Sequence, residues 1–159
     1  MAGSLQEKYA PSGVCFGCGP KNMHGLRLKS IPAGDSVVAH WKPKPQHDVF
    51  GKFGSGGIIS LLMDCRGNWA AAYALMRSRN LSSPPGTVTA EYTVKFLRRS
   101  PIDKKWQLTA WRTKAEGDRV SALGELKVDG TVTATMTDLF VLSGSPVLRF
   151  TGGISWKPK

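Results

Sequence analysis

Two glycines and one carboxylate carry the chemistry most readily read from this chain. Gly56 and Gly57 open the run Gly56-Gly57-Ile58-Ile59-Ser60-Leu61-Leu62-Met63-Asp64, and Asp64 stands seven residues beyond Gly57. Glycines at a helix start let a substrate approach bare backbone N–H groups, where the helix dipole favours negative charge. A lone carboxylate on an apolar helix is costly unless it is satisfied or used. Together they point to an oxyanion site and a general base or nucleophile. At ~1.5 Å rise per residue the two features lie near one face but ~10 Å apart, too far for one short reacting group to touch both. A second copy bringing its Asp64 to the first copy's Gly56 closes that gap, so the active sites are expected at a homodimer interface.

The elements that must hold these residues follow from pattern. Ser55 is a good N-cap for a helix running to about Arg77. Its residues, from Ile58 to Met76, are apolar nearly all round, which predicts a helix buried on most sides. Pro84-Pro85-Gly86 breaks the chain after it. Ser36–Trp41 reads as a strand ended by Lys42-Pro43-Lys44-Pro45. Beyond the helix, Val88, Ala90, Tyr92, Val94 and Phe96 alternate with Thr89, Glu91, Thr93 and Lys95, a period of two. Strands over Trp106–Ala115, Val120–Val128 and Thr131–Leu142 follow, with turns at Glu116-Gly117-Asp118 and at the hairpin signal Asp129-Gly130. The order is strand, long buried helix, then four antiparallel strands, and a helix of this kind needs a sheet curved around it. The chain of 159 residues is read as one α+β domain, with 1–35 an irregular lead-in and 144–159 a tail.

Composition narrows the partners. The net charge is +11, with 22 basic against 11 acidic residues, which suits nucleic acid, an anionic membrane or a polyphosphate ligand such as coenzyme A. The basic residues are dispersed, and no RNA-binding aromatic signature or zinc-finger spacing accompanies them, so nucleic acid is not expected. No long uncharged apolar run predicts a membrane span. Three cysteines, an odd number, and no apolar leader point to a reducing, cytoplasmic compartment. Cys15-x-x-Cys18 invites a zinc site completed by His24 or Cys65. With no second such pair, it reads instead as a glycine-rich turn with two small packed side chains, and no metal is expected.

The element order and the glycine–aspartate spacing resemble the hotdog-fold thioesterases, in particular the PaaI-like branch, over roughly residues 14–143. The resemblance extends to Thr87–Arg99 after the helix, to Cys15-Phe16-Gly17-Cys18-Gly19-Pro20, and to Gly25-Leu26-Arg27-Leu28. It implies a curved antiparallel sheet around one central helix, hydrolysis of an acyl-CoA thioester without a further cofactor, and assembly as a homodimer or a dimer of dimers. Gly56, with Gly57 beside it, would polarise the carbonyl oxygen, and Asp64 would activate water or attack the carbonyl itself. The histidine that the family places before the glycine pair is Ser55 here. The position of a water-orienting asparagine is Val49, and His47 matches a histidine of other members.

Thr89 aligns with a hydroxyl that some members hold near the base, although its place in the alternation makes it one polar face of a strand. Ser60, Asp64 and Asn68 form a narrow polar stripe at helical spacing, so Asn68 could hold the Asp64 carboxylate or a water. In the alternative, Asp64 is a buried carboxylate satisfied by Ser60 and Asn68. Arg98 and Arg99, with Lys95, end the strand near where the family binds CoA phosphates, and Arg66, Arg77 and Arg79 are further candidates. The rival reading is a non-catalytic acyl-CoA-binding protein on the same fold, with Ser55 marking a decayed site.

Overall fold

The computed structural model describes residues 3–143, and the stretch read as a C-terminal tail lies outside them. Its centre is helix α2, Gly56–Ser78, whose apolar residues are buried on most sides as their all-round distribution requires. A six-stranded antiparallel sheet receives it. In chain order the strands are β1 (Ile31–Ala33), β2 (Ser36–Trp41), β5 (Thr87–Phe96), β6 (Trp106–Glu116), β7 (Arg119–Val128) and β8 (Thr131–Leu142). A separate two-stranded hairpin, β3 (Asp48–Val49) with β4 (Phe53–Gly54), precedes the helix. The order across the large sheet is β1-β2-β6-β7-β8-β5, which leaves β5 as an open edge. Helix α2 touches β2, β5, β6, β7 and β8, the enclosure expected of a hotdog fold.

The long strands agree closely with the expected ones, and the Asp129-Gly130 hairpin turns with both residues at positive φ, 48° and 76°. The lead-in is more ordered than its composition suggested. Leu5–Tyr9 forms a short helix, α1, whose cap is reciprocal: the Glu7 amide donates to Ser4 Oγ, and the Ser4 amide and hydroxyl donate to the Glu7 carboxylate. Gln6 then exchanges hydrogen bonds with buried Ser30, tying α1 to the chain just ahead of β1. No helix among the described residues is long and apolar enough to cross a membrane.

Two irregularities matter for the site. Helix and sheet approach tightly at Gly67, where a Cβ would fall 2.3 Å from Asp138 Oδ2 and 2.6 Å from Met136 Cε. Between Thr89 and Glu91, β5 carries an extra residue, Ala90, that has no partner in β8. A bulge reverses which side chains face inward. Before it Thr87 and Thr89 lie on the helix side, opposite Leu142 and Phe140; after it Tyr92, Val94 and Phe96 do, opposite Asp138, Met136 and Ala134.

Alanine for glycine inside a helix ordinarily gains ~1 kcal/mol. At position 67 the methyl group has no room, so Gly67→Ala is expected to destabilise the protein by about 1–2 kcal/mol, as overpacked cores do. Thermal or denaturant unfolding of the two proteins checks this, and a more stable variant would show that helix and sheet are not in contact there.

Candidate active site

The N-terminus of α2 is left open. Ser55 occupies the N-cap position, but its hydroxyl makes no capping bond, contrary to the expected cap. The amides of Gly56, Gly57 and Ile58 have no backbone acceptor among the described residues; the first amide bonded to the cap is that of Ile59. The backbone is steered there by His47, whose carbonyl accepts from the Ser55 amide at 3.0 Å, while the Gly54 amide donates to Ser100 O at 2.9 Å. Unsatisfied amides at the positive end of a 23-residue helix form a ready oxyanion site.

These amides open into a groove of about 400 Å³ lined by Val49, Phe50, Gly56, Phe96, Arg98 and Arg99, among others. The Arg99 guanidinium lies over the Phe53 ring, 5.2 Å from its centroid. The two arginines thus share one groove with the helix start. The other basic candidates do not reach it. Arg77 donates to Gly34 O and pairs with Asp35 at 3.4 Å, and Arg79 donates to Gly117 O, so both secure turns. Arg66 is 1% exposed and can bind no surface phosphate.

Asp64 lies further along α2, against the β5 edge. Thr89 Oγ1 donates to Asp64 Oδ1 at 2.6 Å. The expectation that Thr89 belongs to an outward polar face fails because the Ala90 bulge turns it toward the helix. Burial raises the Asp64 pKa and the Thr89 bond opposes the rise; Cys15 adds a smaller raising effect. Asn68 does not hold the carboxylate: its Nδ2 donates to Thr87 O at 3.1 Å, so it anchors the start of β5 instead. Asp64 is not satisfied within its own helix stripe, since no bond from Ser60 or Asn68 reaches it among the described residues.

His47, which matches a histidine of other members but from sequence could equally be a plain loop residue, does not line the groove. It is buried, its Nδ1 accepts from the Lys44 amide at 3.0 Å, and its ring lies 4.9 Å from that of Trp41. Burial, then the nearby Lys44 charge, lowers its pKa and keeps it neutral. It shapes the approach to the helix through its backbone.

One functional candidate was missed. Asp138, in β8, is 2% exposed, and neither carboxylate oxygen has a hydrogen-bond partner among the described residues. Burial first, and the Asp64 charge second, push its pKa up to about 7. The signal was present: Ala134, Met136, Asp138 and Phe140 alternate on the inward face of β8, and Asp is the one polar residue among them.

No family model matches the sequence, and no curated protein matches it. Solved structures do. A thioesterase superfamily protein, RHA08564, superposes with a TM-score of 0.68 at 21% identity over 80% of this chain and 62% of that one, so this chain spans less than two thirds of its length. A thioesterase superfamily protein from Shewanella loihica gives 0.62 at 28% identity, over 77% of this chain and 96% of that one. The E. coli PaaI protein from the phenylacetic acid degradation operon gives 0.64 at 16%, over 76% and 82%. The protein smu.793 of Streptococcus mutans, solved bound to acetyl-CoA, gives 0.63 at 10%, over 73% and 88%. Likenesses at such identities establish the fold, which is that of the thioesterase superfamily.

The buried carboxyl sets a pH dependence. Between the ordinary carboxylate value, 3.8, and about 7, folded Asp138 holds a proton that the unfolded chain has released. Raising pH through this window therefore favours unfolding, and the Asp138 contribution to stability falls until about pH 7 and then levels, with the lowered His47 pKa opposing it below 6.5. The raised pKa of Asp64 adds to the same slope. Asp138→Asn is expected to flatten most of it and to gain on the order of 1–3 kcal/mol at pH 7.5. Denaturant unfolding from pH 4 to 8 checks this, and an unchanged slope would mean that Asp138 is hydrated or paired.

Proposed function

We propose that this hotdog-fold chain, similar in architecture to PaaI, is an acyl-CoA thioesterase whose active sites form across a twofold dimer interface. The observation that carries the reading is the pairing of each half-site with one end of the open edge strand. Thr89, toward one end of β5, bonds Asp64. Phe96, at the other end, lies against Gly56, 3.3 Å from where a Cβ would sit. If two β5 edges pair antiparallel about an axis near Tyr92–Thr93, Thr89 faces the partner's Phe96. Asp64 then faces the partner's Gly56, which removes the ~10 Å separation along a single helix. The edge suits such pairing: Val88, Tyr92, Phe96 and Leu97 are 38–56% exposed on it.

In this arrangement the thioester carbonyl oxygen accepts from the amides at the Gly56–Gly57 helix start. Fixed donors of this kind are worth ~3–4 kcal/mol each when aimed at the developing oxyanion. Asp64 Oδ1 is held by Thr89, so Oδ2 is left to take the proton of the attacking water. The collapse of the tetrahedral intermediate expels the CoA thiolate, and the acid departs. A carboxylate whose pKa is raised by burial is the stronger base for that step. The groove arginines, Arg98 and Arg99, are of the right type for CoA phosphates. An acetyl-CoA-bound protein of the same fold supports that substrate class.

Thiol release from a panel of acyl-CoAs tests the reaction. Asp64→Asn is expected to lower kcat by 10²–10⁴, the usual contribution of a general base, with the fold retained. Binding of CoA without hydrolysis by wild type would favour the acyl-CoA-binding reading instead. Thr89→Val removes the bond that lowers the Asp64 pKa, so the acidic limb of the kcat/KM profile should move to higher pH; an unmoved limb would make Thr89 a bystander. Subunit mixing tests the interface. Asp64→Asn co-expressed with a Gly56→Val variant should regain about a quarter of wild-type activity, because half of the randomly mixed dimers keep one intact site. No regain would sink a shared site.

A further inference from the structure

A second cluster lies beside the site and takes no part in the proposed hydrolysis. The loop carrying Cys15 and Cys18 folds over α2, and the three sulfurs of Cys15, Cys18 and Cys65 all lie within 4.8 Å of one another. Cys15 Sγ and Cys65 Sγ are 3.7 Å apart. A tetrahedral zinc with Zn–S bonds of ~2.3 Å sets its sulfurs about 3.8 Å apart. The loop is built for this approach: at Gly17 a Cβ would lie 2.3 Å from Cys65 Sγ, and at Gly19 one would lie 2.4 Å from the Cys15 amide nitrogen. No other residue type fits there without moving the sulfurs apart.

Donors and an unpaired cation lie close to the sulfurs. Trp69 Nε1 donates to Cys18 Sγ at 3.4 Å. Arg66, next to Cys65 on the buried side of α2, makes one hydrogen bond, from Nη2 to Lys29 O at 3.2 Å. Its Nε and Nη1 have no partner among the described residues, and no carboxylate pairs with it. A buried guanidinium without a counter-charge is strongly unfavourable. Burial pulls its pKa down to about 9, and its chain neighbour Cys65 belongs to the sulfur cluster.

We propose that Cys15, Cys18 and Cys65 bind one zinc ion, with a water in the fourth position on the exposed Cys15 side and with Arg66 as the buried counter-charge. Three thiolates and Zn²⁺ leave one net negative charge, which the guanidinium neutralises. The thiol protons pass to solvent as the metal binds. His24, weighed from sequence as a ligand, is not part of the cluster, and Cys65 is. The ion ties the N-terminal segment to the helix turn that carries Asp64, so it acts as a clamp on the site and takes no step in the hydrolysis.

Elemental analysis of the full chain purified without chelator, under reducing conditions, is expected to find about one zinc per chain. The stripped protein should take up Co²⁺ with the intense thiolate charge-transfer absorption of a tetrahedral site. Cys15→Ser, at an exposed position, should fold and lose at least tenfold in metal affinity. Trp69→Phe, which removes the indole donor, should weaken it by about 10–100-fold. Wild-type protein that holds no metal and takes up neither Zn²⁺ nor Co²⁺ would overturn the proposal. So would metal retained undiminished in Cys15→Ser, or a Cys15–Cys18 or Cys15–Cys65 disulfide with no metal uptake after reduction.

Discussion

A helix that is apolar nearly all round cannot lie on one flat face of a sheet, because half of its surface would stay in water. The constraint is geometric and large: burying apolar surface is worth about 25 cal/mol per Å², and α2 contributes residues from Ile59 to Met76 to the buried interior. The sheet answers by bringing strands from β2 through β5 against it. Everything at the site is then set by where the helix meets the sheet's open end. The helix start lies against Phe96 at one end of β5, and Asp64 lies against Thr89 toward the other.

Such a helix leaves little room for polar groups between it and the sheet, so those found there must be accounted for. Four are resolved in different ways. Asp64 is half-buried and accepts one hydroxyl, which keeps its charge accessible at a raised pKa. Asp138 accepts nothing and is driven toward its neutral form. Arg66 makes one bond to a carbonyl, leaves its Nε and Nη1 without partners among the described residues, and has its pKa lowered by burial to about 9. Asn68 bonds a strand carbonyl and fastens β5 to the helix. The Asp64 charge adds to burial in raising the pKa of Asp138, a residue that never meets solvent.

Much of this was legible in the residues. The periods of the long strands, the proline breaks and the Asp129-Gly130 turn placed the elements, because each rests on local backbone preference or on alternation that needs no distant partner. The glycine–aspartate spacing named Gly56, Gly57 and Asp64, and the alternation placed Arg98 and Arg99 at a strand end; that this end lies in the groove beside the helix start came from the structure. A capped helix start was the natural expectation from Ser55 and was wrong, since whether a hydroxyl caps depends on the direction of the preceding chain, here set by the His47 carbonyl.

What the sequence by itself determined, then, is the set of elements and the chemistry they present, since apolar period, turn residues and residue type act within a few positions along the chain. Only the tertiary structure decided which side chains meet. One unpaired residue in β5 reverses the facing of Thr89 and makes it the partner of Asp64, and alternation alone carries no record of a bulge. Asp138 reads as an ordinary strand residue until Gly67 is brought against it, and the turn of Cys15 and Cys18, present as expected, meets Cys65 only in the folded chain. Those contacts join residues tens of positions apart, and their energies arise from burial and shared charge, which exist only after the helix has been enclosed.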